Sequence, residues 1–180
     1  MASFALDRAV SACHLASSAT MRVYEQIQYD AGVEAVFAML CDARFRASVC
    51  EATYALRHAV SVDVDGDGVL VTIERVMPAD VPPAIKRFIG DEIAIVQTEA
   101  WYPVDALIRR ADVTMRIPGK PASMSGTIRL EPSNGECHQT FDGDVRVSVP
   151  FAGARIEAAI ADAIRFAISK ESELGQRYLS

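Results

Sequence analysis

The C-terminal segment constrains the fold more than any other stretch of the chain. From about Gly153 to Tyr178 it reads as one uninterrupted amphipathic helix, roughly 39 Å long at 1.5 Å per residue. Ile156, Ile160, Ala163, Ile164, Ala167 and Ile168 recur on one face, while Glu157, Asp162, Arg165 and Lys170 mark the wet side. Ala159 and Ala163 are small, which lets a sheet approach closely. What precedes this helix is mostly alternating sequence, so a sheet is the expected cover.

Met21–Asp30 alternates as a strand, with Val23, Ile27 and Tyr29 on one side. Asp30 and Gly32 lead into VEAVFAML, where Val33, Val36, Phe37 and Leu40 recur at helical spacing, and a second short helix is expected over Ala43–Ala52. Leu56–Val64 and Val69–Met77 alternate on either side of DGDG, whose Asp-Gly pairs supply the positive φ of a tight hairpin. Pairing Val64 with Val69 sets Val62 opposite Val71, Val60 opposite Ile73, His58 opposite Arg75 and Leu56 opposite Met77, all on one face. MPADVPPAIKRFIG starts as a loop and continues as a short helix stopped by Gly90, with Ile85, Phe88 and Ile89 as its apolar side. Four further strands follow at Ile93–Tyr102, Leu107–Ile117, Ala122–Leu130 and Gln139–Val149. The order is strand, two helices, six strands, long helix: an α+β chain with its sheet covered on one face.

At 180 residues, with no internal repeat, one domain over residues 21–180 suffices. Residues 1–20 read as a mobile extension outside it; Asp7–Arg8 falls where a signal peptide needs unbroken apolar sequence. The net charge of -6 gives no electrostatic reason to bind nucleic acid or anionic lipid. No apolar run approaches the roughly 20 residues of a membrane span. Cys13, Cys41, Cys50 and Cys137 form no C-x-x-C pair and read as free thiols in a reducing compartment. The expectation is a soluble cytoplasmic protein with a small apolar partner, no nucleic-acid partner, no transmembrane segment and no cofactor.

Three stretches, MPADVPPAIKRFIG, RIPGKP with SGTIRLEP after it, and VRVSVPFAGARIEAAIADAI, carry a resemblance to the DUF2505 family. That family is part of the START/Bet v 1-like (SRPBCC, helix-grip) superfamily, and the resemblance covers about residues 21–178. It implies a helix-grip fold: a seven-stranded curved antiparallel sheet around a long C-terminal helix, with two short helices after strand 1. It also implies a hydrophobic cavity between sheet and helix. Relatives use such cavities for lipids, sterols, polyketides or plant hormones, and a minority catalyse cyclisation or hydrolysis there. DUF2505 itself has no established activity or catalytic motif to carry over, and fold does not fix function.

Asp63, Asp65, Asp67, Gly68 and Glu74 match the spacing of an EF-hand calcium loop. An EF-hand needs flanking helices and both flanks here alternate as strands, so no metal site is assigned. His58 and Arg75 share a face otherwise made of valine and isoleucine; they read either as polar anchors for a ligand or as residues at a sheet end that splays open to water. Gln97, Glu99 and Trp101 form one side of their strand. Pairing Trp101 with Arg109 would turn them inward and place Glu99 near Arg109, where it could serve as a general base; the other register turns Val96, Thr98 and Ala100 inward. No nucleophile elbow, phosphate loop or dinucleotide fingerprint occurs. The leading expectation is a ligand cavity lined by Phe37, His58, Val60, Ile73, Arg75, Phe88, Trp101, Met115, Met124, Ile160 and Ile164, with Val81–Ile89 as a lid. Its rivals are a cyclase or hydrolase using Glu99 or His58, and a tightly packed interaction module with no cavity.

Overall fold

The computed structural model describes residues 20–79, 86, 90–149 and 152–180. The expected extension, all but Thr20, and the expected lid with Phe88, all but Lys86, lie outside those residues. Seven antiparallel strands form one sheet in the order β1-β7-β6-β5-β4-β3-β2. They are β1 Met21–Tyr29, β2 Arg57–Asp65, β3 Gly68–Pro78, β4 Glu92–Pro103, β5 Arg109–Arg116, β6 Ala122–Ser133 and β7 Glu136–Val147. Helices α1 (Val33–Leu40) and α2 (Ala43–Ala52) follow β1, and α3 (Gly153–Leu179) closes the chain. This is the helix-grip architecture.

Local chemistry accounts for the two short helices. Asp42 caps α2, its carboxylate accepting from the Arg44 and Phe45 amides at 2.7 and 2.8 Å. α1 buries Val33, Val36, Met39 and Leu40, and α2 buries Phe45, Val49 and Cys50 together with one charged residue, Arg46. The β2–β3 register is the expected one, with Val64 opposite Val69, Val60 opposite Ile73 and His58 opposite Arg75. Gly66 takes a φ of 58° in its turn, which only a residue without a Cβ adopts freely. Leu56 and Val64 depart from that face: β2 begins after Leu56, and both side chains are exposed. In the acidic loop, Asp63 stands opposite Leu70 and Glu74 opposite Ala59.

Two expectations about α3 are corrected. Ala159 and Ala163 are exposed, and the stripe facing the sheet is Glu157, Ala161, Ile164, Ile168, Glu171 and Gly175, rotated from the expected one. The residues that permit close approach are therefore Ala161 and Gly175; a Cβ on Gly175 would lie 2.7 Å from the Tyr29 ring. Glu157, assigned to the wet side, is buried. β1 begins at Met21, opposite Val145, so the amide of Val147 lies beyond it, and Glu157 accepts that N–H at 2.9 Å. Glu157→Ala should cost about 1–3 kcal/mol by orphaning this amide, and Glu157→Gln should restore most of it. Urea denaturation of the two variants measures the difference.

Candidate functional site

Register lays the inward side chains out in rows across the concave face. One row runs Val60, Ile73, Gln97, Met115, Met124 and Val145. Beside it, nearer one end of the sheet, lie His58, Arg75 and Ile95. On the other side come Val62, Val71, Glu99, Val113, Gly126 and Gly143, and then Val69, Trp101, Ala111, Ile128 and Phe141. Gln97, Glu99 and Trp101 do face inward. Their register differs from the expected one by two residues: Trp101 pairs with Ala111, and Pro103 with Arg109. The Asp105 carboxylate accepts from the Leu107 and Ile108 amides at 2.8 and 2.9 Å, which tightens the connection, so β4 runs on to Pro103 while β5 starts only at Arg109.

Glu99 consequently has a different partner from the one expected. Arg109 pairs with Glu34 at 2.8 Å and lies over the Phe37 ring. Glu99 instead pairs with Arg46 of α2, whose other amino group reaches Glu171 of α3 at 2.5 Å and whose Nε donates to the Leu40 carbonyl at 2.6 Å. Gln97 donates to the free oxygen of Glu99 at 2.7 Å, the Trp101 indole to the shared one at 3.0 Å, and Gln139 to Glu171 at 3.0 Å. Arg46, Glu99 and Glu171 are 2%, 0% and 9% exposed, so the network is sealed from water. Burial pushes the Glu99 carboxyl above the usual carboxylate range and Arg46 opposes that push. With three donors already on its two oxygens, Glu99 reads as a structural acceptor more than as a base free to take a proton.

Arg46 and Glu171 were missed in the sequence, although a signal for each was present. Arg46 lies three and four residues before Val49 and Cys50, on the face α2 buries. Glu171 continues the 161–164–168 spacing of α3.

Arg75 sits differently. It is half-buried, its Nη2 lies 4.0 Å from Met115 Sδ, and its charge acts on the Cys50 thiol of α2. Burial holds its pKa below the ordinary arginine value. Among the described residues no carboxylate lies within ion-pair distance of it. Val60, Met115 and Ile160 are half-buried, whereas Ile73, Trp101, Met124 and Ile164 are buried; Phe37 is half-buried and meets Trp101 edge-on, ring centroids 5.6 Å apart. Burial pushes the Cys41 and Cys137 thiols up to about 12 and about 11, which removes them as nucleophiles at neutral pH.

Two surface hollows lie away from these residues. One of about 470 Å³, under the β5–β6 turn, has Arg116, Lys120 and Arg146 in its wall, and one of about 290 Å³ separates β1 from α3. No helix among the described residues is long and apolar enough to cross a membrane.

Residues 25–179 match the model of the family described as "Protein of unknown function (DUF2505)". Uncharacterised proteins of Mycobacterium tuberculosis and Mycobacterium bovis are each 25% identical over 141 residues, covering 73% of this chain and 81% of theirs. Among solved structures, TTHA0849 from Thermus thermophilus superposes with a TM-score of 0.58 at 12% identity, covering 88% of this chain and 97% of that one. Truncated norcoclaurine synthase from Thalictrum flavum gives 0.56 at 14% identity, covering 90% and 95%. The same plant enzyme in complex with dopamine and hydroxybenzaldehyde gives 0.53 at 13% identity, covering 91% of each chain. At these identities the structures share the fold with this chain.

Proposed function

The chain belongs to the DUF2505 family, and we propose that it binds a small, largely apolar molecule between the β2–β5 half of the sheet and the first turns of α3. One observation carries this: the concave face is unevenly filled. Toward β1, β6 and β7 it is closed, with Val23, Tyr29, Leu130, Cys137 and Val145 all at 0% exposure. Toward β2 and the Arg75 end of β3 and β5, by contrast, inward Val60, Val62 and Met115 keep part of their surface in water, while Val71, Ile73, Ala111 and Val113 beside them are buried. Half-covered apolar side chains on a concave wall are what a small apolar ligand covers on binding.

α3 reaches the same end of the sheet, since Glu157 anchors its first turns at Val147. A helix-grip fold accommodates small molecules in the plant enzyme solved with dopamine and hydroxybenzaldehyde, which supports the same use here.

A neutral solvatochromic dye tests the reading. Ala163→Phe is not a useful blocking variant, because Ala163 is exposed; Val60→Trp is. Val60→Trp should weaken dye binding by about tenfold or more, a loss of about 1.4 kcal/mol, while far-ultraviolet circular dichroism stays unchanged. Tyr24→Ser, on the outward face of β1, should leave binding as it is. Equal dye affinity in wild type and Val60→Trp would refute the site.

A further inference from the structure

We propose that the molecule held on this face carries a carboxylate, which Arg75 takes through a two-point hydrogen bond. This rests on the reading that the face binds a small apolar molecule, and adds the chemistry of its head group.

Among the described residues three arginines lie on interior positions, and two of them have their acids. Arg46 holds Glu99 and Glu171, and Arg109 holds Glu34. Arg75 is the third: inward by register, half-buried, and in contact with sulfur where the others meet carboxylates. A guanidinium presents five N–H donors in a planar fork, and a thioether is a weak acceptor for one of them. Glu99 attracts Arg75 from beyond ion-pair distance, but both its oxygens are taken by Arg46, Gln97 and Trp101. Among the described residues, then, only two sulfur atoms, Met115 Sδ and the Cys50 thiol, meet the fork of Arg75, and both its charge and most of its donors lack a carboxylate.

The surroundings select the rest of the molecule. Val60 and Met115, both half-buried, flank Gln97 and buried Ile73 in the next row inward from Arg75 and offer an apolar wall to the body of the ligand. A carboxylate matches the fork in geometry and charge, and a hydroxyl supplies only one acceptor atom without charge. An apolar acid would meet both requirements, with its head at Arg75 and its body along that wall.

Dodecanoate and dodecan-1-ol share a chain length and differ at the head group, so calorimetric titration of each separates the two ideas. Wild type should bind dodecanoate about tenfold or more tightly than the alcohol, a difference of about 1.4 kcal/mol. Arg75→Met should keep the alcohol affinity and lose the preference. Arg75→Lys, which keeps the charge without the fork, should fall between the two and serves if the methionine variant does not fold. Equal binding of acid and alcohol by wild type would overturn the head-group assignment and leave the apolar site standing. Binding of neither would overturn both, and an acid preference surviving in Arg75→Met or undiminished in Arg75→Lys would remove Arg75 from the role.

Discussion

Arg46→Met should destabilise the protein by about 3–5 kcal/mol, because it strands two carboxylates in the interior. Arg46 is the shared partner of Glu99 on the sheet and Glu171 on the last helix, so three elements lose one tie together. The cost comes from unpaired charge, and the deficit should therefore depend on pH. Burial raises the folded-state pKa of Glu99 and Arg46 pulls it down. A carboxyl whose folded pKa exceeds its unfolded one stabilises the fold below the unfolded value. That contribution is lost as pH rises through the folded value. Removing Arg46 takes away the downward pull and lifts the folded pKa further, so the deficit should shrink on going from about pH 8 to about pH 5. Replacing the whole triad, Arg46→Met with Glu99→Gln and Glu171→Gln, should recover part of the loss. The amide at position 99 still accepts from Trp101 and turns its NH2 to a flipped Gln97 amide, the amide at position 171 accepts from Gln139, and neither carries charge. Urea unfolding across that pH range checks both statements; a deficit independent of pH would show that packing, and not charge, sets the cost.

Gly126→Ala should cost about 3 kcal/mol, although it adds a single methyl group. Gly126 and Gly143 face each other across β6 and β7, and a Cβ on Gly126 would lie 2.4 Å from the Asp142 carbonyl oxygen and 2.5 Å from Gly143 Cα. Those are backbone atoms of a paired strand and cannot swing aside as a side-chain tip would. On the adjoining strand, a Cβ on Gly143 would come within 3.2 Å of Met124 and Phe141 side-chain atoms. Gly32→Ala meets nothing within 4 Å and is the control, expected to stay within about 0.5 kcal/mol of wild type. Thermal unfolding of the two variants separates a steric clash at the glycine pair from a general cost of adding a Cβ.

The strands were legible in the sequence because alternation has period two and the Asp-Gly turn leaves the β2–β3 register little freedom. The β4–β5 register was not, since YPVDA offers no such turn signal and its geometry depends on Asp105 accepting two amides. α3 shows the limit of hydrophobicity as a guide. Counting isoleucines and alanines gives a face containing Ile156, Ile160 and Ala163, whereas the sheet-facing stripe includes Glu157 and Glu171. A carboxylate is read as solvent-facing until its buried partner is known, and the partners here, the Val147 amide and Arg46, come from distant parts of the chain. Of the candidate site, His58, Val60, Ile73, Arg75 and Met115 came directly from register. The placing of Glu99 with Arg46 needed helix packing that no local pattern encodes.

A native mass spectrum of protein purified from its own host, without denaturation, shows whether the concave face carries a ligand. Wild type should show a discrete small-molecule adduct that is absent from Val60→Trp prepared in the same way. A bare protein mass for wild type, or the same adduct retained in full by Val60→Trp, would rule the binding site out.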